Sequence, residues 1–95
     1  MLAPMLTEDR LREILGRVPG ATQVIVGRRG SKLVAIVVSP EYADIPEVER
    51  QSQAWGLVLD NLSDAEAAQV SFVYTNTPEE KAQAEIDAAA GRAAD

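Results

Sequence analysis

The chain has 95 residues, 46% of them hydrophobic, carries a formal net charge of -6 and contains neither cysteine nor histidine. Those two absences exclude disulfides, thiolate zinc sites, thiol nucleophiles and the imidazole that most often serves as a base near neutral pH. The length suits one domain over residues 1–95, with no room for a second core, and a metal site or resident cofactor is not expected. Nowhere do about 18 apolar residues run in succession, and Met1 to Leu6 has neither the basic stretch nor the apolar run of a signal peptide, so no membrane contact and a cytoplasmic location are expected.

Leu6-Thr7-Glu8-Asp9-Arg10-Leu11 reads as a helix start, with Thr7 as N-cap, two acids in the first turn, and Leu6 and Leu11 spaced as a hydrophobic staple. Leu11, Ile14, Leu15 and Val18 recur at helical spacing, and Pro19-Gly20 stops the pattern, which predicts a helix from Glu8 to about Val18. Thr22 to Val26 and Leu33 to Val38 read as strands, joined by a five-residue hairpin loop, Gly27-Arg28-Arg29-Gly30-Ser31. The second strand is apolar at every position and is expected in the middle of the sheet with both faces covered. After a loop from Pro40 to Pro46, the residues Ile45, Val48, Ser52, Trp55, Leu59 and Leu62 form a helical stripe that predicts a helix of about four turns with Trp55 in the core. Ser63-Asp64-Ala65-Glu66 is a capping box opening a short helical turn. Gln69 to Thr75 is a third strand, and Thr77-Pro78-Glu79-Glu80 starts an Ala-rich last helix. That helix has Ile86 as its only large apolar residue, so residues 82–95 are expected to dock weakly and to fray beyond Gly91. The order is α-β-β-α-(α)-β-α, an α+β fold with a three-stranded mixed sheet. A right-handed crossover from Pro40 to Ala68 makes the third strand parallel to the second and puts the first two long helices on one face.

The second half resembles the BolA-like family. Val38-Ser39, Tyr42, Val48-Glu49-Arg50-Gln51, Trp55 and the stretch from Gln69 through Thr77-Pro78-Glu79-Glu80 occupy the places of that family's ordered motifs, and the likeness covers roughly Leu6 to Lys81. It implies a fold similar to class II KH domains and a cytosolic role in iron–sulfur trafficking with monothiol glutaredoxins, or in DNA-binding regulation. Gln69 stands where the family has a histidine cluster ligand. Arg28, Arg29, Gly30 and Ser31 stand in the loop that often supplies a second ligand, and Lys81 replaces a tryptophan. A neutral amide is a poor ligand for iron, so the resemblance carries the scaffold over without the cluster chemistry.

The charge is divided along the chain, net +3 from Met1 to Val38 and net -9 from Ser39 to Asp95. Gly27-Arg28-Arg29-Gly30 spells the G-x-x-G with which KH domains clamp a nucleic-acid backbone, but a KH clamp joins two helices and this segment joins two strands. It is either a hairpin turn with solvated arginines, or an exposed basic tip in which Arg28, Arg29 and Lys32 grip an acidic partner or phosphate. Arg50 and Gln51 lie off the apolar stripe of their helix, as a polar face or as a partner contact. No nucleophile and base pair can be assembled, and the adjacent Glu79 and Glu80 are explained by capping. The expectation is a non-enzymatic adaptor or regulator. It binds a protein partner, a monothiol glutaredoxin-like protein among them, through Arg28, Arg29, Gly30, Lys32, Arg50, Gln51 and Gln69. The alternative is a nucleic-acid-binding module that uses the basic hairpin.

Overall fold

The computed structural model describes residues 5–94, with side chains to residue 87. Met1 to Pro4, part of the stretch read for signal-peptide character, and Asp95 lie outside the described residues. Helix α1 (Glu8–Leu15) opens as its sequence predicts: the Thr7 hydroxyl accepts from the Arg10 amide at 3.1 Å, and Leu6 and Leu11 are both buried. Its last residue is Leu15, three short of the expected Val18, with Gly16 as the C-cap. The chain then tightens into single-turn bonds from Arg17 to Ile14 and from Val18 to Leu15, which keep Val18 buried even though it has left the helix.

The sheet contains β1 (Gln23–Arg29), β2 (Lys32–Val38) and β3 (Val70–Asn76) in the order β1-β2-β3, the first pair antiparallel and the second parallel. The hairpin is tighter than the five residues expected. Arg29 pairs with Lys32, so only Gly30 and Ser31 form the turn. Gly30 has φ 64 and Ser31 has no positive φ, which is the pattern of a type II′ turn with glycine in the first central position. The two arginines therefore sit on a strand, where consecutive side chains point to opposite faces.

The crossover begins at Ser39, whose hydroxyl donates to the Pro19 carbonyl at 2.8 Å and accepts from the Glu41 amide. Pro40–Asp44, expected as loop, is a 3-10 turn. Helices α2 (Glu47–Asn61) and α3 (Asp64–Ala67) follow, and the Ser63 and Glu66 capping box opens α3. Helix α4 (Pro78–Ala94) runs on through Gly91 without a break, and its Ile86 is exposed. No helix among the described residues is long and apolar enough to cross a membrane.

Helices α1 and α2 pack against the same face of the sheet, as the right-handed crossover requires. Their Leu11, Ile14, Leu15, Ala54 and Val58 close a core over Val26, Leu33, Ala35, Val37 and Val73. Two sequence expectations fail here. Only one face of the central strand is covered along its length: Leu33, Ala35 and Val37 are buried, while on the other face Val38 is buried but Val34 and Ile36 are only half-buried. The apolar stripe of α2 is also not its core face. Arg50, Ala54 and Val58 point inward, whereas Val48 is 81% and Leu59 61% exposed, and Trp55 is half-buried at the margin. The helix is rotated by about one residue, roughly 100°, because the Arg50 guanidinium is drawn to buried carbonyls and Ala54 lets the helix approach closely. Replacing Leu59 by Gln is therefore expected to change stability by no more than about 0.5 kcal/mol. Val58→Ala should cost about 2 kcal/mol, and chemical denaturation of the two variants checks the phase of the helix.

Candidate partner-binding site

The hairpin end of the sheet gathers most of the residues singled out from the sequence. Gln69 lies in the turn just before β3, not within it. Its carbonyl accepts from the Leu33 amide at 2.8 Å, its side-chain oxygen accepts from the Leu6 amide at 2.9 Å, and its amide nitrogen donates to the Ala65 carbonyl at 3.4 Å. Together with Met5, Arg28, Gly30 and Ser31 it lines a hollow of about 440 Å³. Arg28 donates across this hollow's margin to the Leu6 carbonyl at 3.2 Å, and Lys32 donates to the Ala68 carbonyl at 2.6 Å.

Gln69, which the sequence resemblance equates with the family's histidine, and the hairpin turn thus do face one another, but the donors they offer are an amide, a hydroxyl and guanidinium. An iron–sulfur cluster is held by thiolates or imidazoles, and this chain has neither. No group of three or more metal-ligating side chains occurs among the described residues. The residues present do not fit a cluster.

The electrostatics of this end are lopsided. The three strands carry Arg28, Arg29 and Lys32 and not one Asp or Glu, in a chain with 15 acidic residues. Among the described residues none of these three cations forms an ion pair, whereas Arg12, Arg17, Arg50 and Lys81 all do.

This chain superposes on the solved structure of BolA1 from Arabidopsis thaliana with a TM-score of 0.58 and 16% sequence identity, over 77% of this chain and 93% of that one. No family model matches the sequence, and no curated protein matches it. The fold is BolA-like.

Within that BolA-like fold, two of the segments that carry the sequence resemblance meet in the interior. Arg50 is only 8% exposed. Its Nε donates to the Ile45 carbonyl at 2.7 Å and its Nη2 to the Tyr42 carbonyl at 2.5 Å, while Nη1 reaches the Thr75 carbonyl at 3.3 Å and the Glu80 carboxylate at 2.8 Å. The guanidinium also lies 5.4 Å from the centre of the buried Tyr42 ring. Gln51 donates to the Val73 carbonyl and the Thr75 hydroxyl and accepts from the Trp55 indole at 3.2 Å. Arg50 and Gln51 therefore bind the helix to β3, a placement neither of the two sequence readings foresaw. The available signal was a second, shorter stripe through Arg50, Ala54 and Val58, outweighed by the longer apolar one.

Glu80 joins this network from the start of α4. Its carboxylate accepts from the Thr77 amide at 2.7 Å and the Thr77 hydroxyl accepts from its own amide, a capping box. The Thr77 N–H, with help from Arg50, holds the Glu80 carboxyl below the usual range against partial burial. Burial pushes the Tyr42 hydroxyl up, opposed by the neighbouring Arg50 cation and reinforced by Glu47.

Replacing Arg50 by Met keeps the side-chain bulk but takes the donor from the Thr75 and Ile45 carbonyls and leaves Tyr42's with the Ile45 amide alone, and is expected to cost about 3 kcal/mol in denaturant unfolding. Glu80 has a depressed folded-state pKa, so its contribution is complete above its unfolded value of about 4.3 and disappears as pH falls through the folded one. Acid unfolding curves should therefore fall less steeply below that value in Glu80→Gln than in the wild type.

Proposed function

We propose that this chain is a non-enzymatic adaptor or regulator that binds a protein partner through the basic hairpin end of its BolA-like fold and ligates no cluster of its own. The observation that carries this reading is the concentration of Arg28, Arg29 and Lys32, without carboxylate partners among the described residues, around the hollow lined by Gln69, Gly30 and Ser31. Cations without internal carboxylate partners on an otherwise acidic protein are available to steer and orient an acidic surface.

Three features weigh against chemistry. The chain has no thiol or imidazole. The depressed carboxyls of Glu66 and Glu80 owe their shifts first to capping hydrogen bonds with Ser63 and Thr77. The one buried hydroxyl with a raised pKa, Tyr42, is sealed in the core. The resemblance supplies a first partner class to test, a monothiol glutaredoxin-like protein. Nucleic acid is less suited, because three cations at one end face a body that is strongly negative elsewhere.

Titration of the protein with a monothiol glutaredoxin, followed by calorimetry and visible absorbance, is expected to give binding without a stable cluster shared through this chain. The double variant Arg28→Glu, Arg29→Glu should weaken that binding at least tenfold, with only a small fall in melting temperature from the lost Arg28 bond to the Leu6 carbonyl. A coloured complex whose iron depends on this chain would overturn the reading, as would binding indifferent to the charge reversal.

A further inference from the structure

The face of the sheet turned away from α1 and α2 is apolar and open. Register pairing puts Ile25, Gly27 and Arg29 of β1, Val34 and Ile36 of β2, and Phe72 and Tyr74 of β3 on it. Ile25 is 37%, Phe72 43% and Tyr74 48% exposed. The Phe72 and Tyr74 rings meet edge to face with centroids 4.7 Å apart, which fixes them as a preformed aromatic wall.

Gly27 is the informative residue. Its φ is not positive, and a Cβ built on it meets nothing within 4 Å. Neither backbone conformation nor crowding requires glycine there, and glycine in a strand weakens it. What the missing side chain does is keep open a hollow of about 330 Å³, lined by Gly27, Arg28, Arg29, Val34 and Tyr74. That hollow lies where the apolar face meets the basic tip.

The geometry points to a specific occupant: an extended acidic peptide segment of a partner protein, with one large apolar side chain seated over Gly27 against Val34 and Tyr74, and flanking carboxylates on Arg29 and Lys32. This rests on the protein-binding reading above and extends it from the hairpin tip across the open face. The charge pattern selects the occupant. Within the strands the cations are confined to the tip, the middle of the face is apolar, and beyond the far end β3 runs into Glu79 and Glu80, the second of them paired with Arg50. A peptide can place carboxylates at one end and apolar residues beyond, whereas a nucleic-acid strand carries a phosphate on every unit and would have to run toward those acids. A second copy of the chain is also poorly matched. Phe72 and Tyr74 offer on the order of 100 Å² each, well short of the roughly 800 Å² per partner of a stable interface.

The test is selection of displayed random peptides of about 12 residues, enough to cross the sheet in extended form, on the full-length protein, followed by anisotropy titration of the enriched peptides. Expected are peptides with Asp or Glu beside Phe, Trp or Leu. They should bind Gly27→Val at least tenfold more weakly, because the valine fills the hollow without straining the strand, and Tyr74→Ser and Arg29→Glu should lose binding as well. Unaltered circular dichroism and melting of the variants are checked alongside.

Enriched peptides without acidic and apolar character, or binding unchanged in Gly27→Val and Tyr74→Ser, would overturn the inference. So would a labelled oligothymidylate that binds the wild type and not Tyr74→Ser, or self-association by sedimentation that Tyr74→Ser abolishes. Should partner binding be lost in Arg28→Glu, Arg29→Glu but kept in Gly27→Val, the basic tip alone is the site, and the protein-binding reading survives while this extension of it fails.

Discussion

The Arg50 guanidinium ties together pieces of chain that are far apart in sequence. It takes the carbonyl left over at Ile45 where the 3-10 turn ends, adds a second donor to the Tyr42 carbonyl, which already accepts from the Ile45 amide, and reaches a carbonyl of β3 at Thr75 and the carboxylate that caps α4. Together with Gln51, which donates to the Val73 carbonyl and the Thr75 hydroxyl, it fixes the crossover to the far end of β3 and sets the rotation of α2. The ion pair is the lesser part of this. Glu80 and Glu47 keep about half or more of their side chains in water, at 48% and 63% exposed, where paired charges contribute little. The neutral carbonyls are the larger stake, since a buried acceptor left without a donor loses its full hydration.

That hub also explains where sequence pattern succeeded and where it failed. Locally determined features were legible: the Thr7, Ser63 and Thr77 caps, and the central position of the unbroken strand from Leu33 to Val38. Each depends on a few adjacent residues and on backbone chemistry that tertiary structure does not reverse. The phase of α2 was not legible, because its longest apolar stripe, Val48 through Leu59, competes with a shorter one through Ala54 and Val58. The deciding element is a charged side chain whose partners lie up to 30 residues away. A period says that a helix has two faces, and long-range hydrogen bonds decide which one is inside.

The candidate site divides the same way. The basic tip and its proximity to Gln69 could be anticipated from the order of segments, because a parallel third strand brings the residue before β3 beside the start of β2. The open sheet face could not. Val34 and Ile36 look like core residues in sequence, and only the placement of α1 and α2 on one side of the sheet leaves them half-covered.

This arrangement carries a physical tension that bears on function. The core face is closed by small and medium side chains, while the largest apolar rings in the sheet, Phe72 and Tyr74, are spent on the outside with Gly27 beside them. Moving the rings inward would bury more apolar area in a domain too small to have much to spare. An exposed face of this kind also invites association. The register shift between Leu33 and Val34, opposite Ser71, sets which alternate residues of β3 face out, since a slip of one residue exchanges the two faces of a strand. With that register the strand sends Val73 and Thr75 to the core and both rings to solvent. Stability alone gives no reason to combine outward rings, an unneeded glycine and, at one end of the same face, Arg29 and Lys32 without carboxylate partners among the described residues, whereas the proposed docking of another chain uses all three.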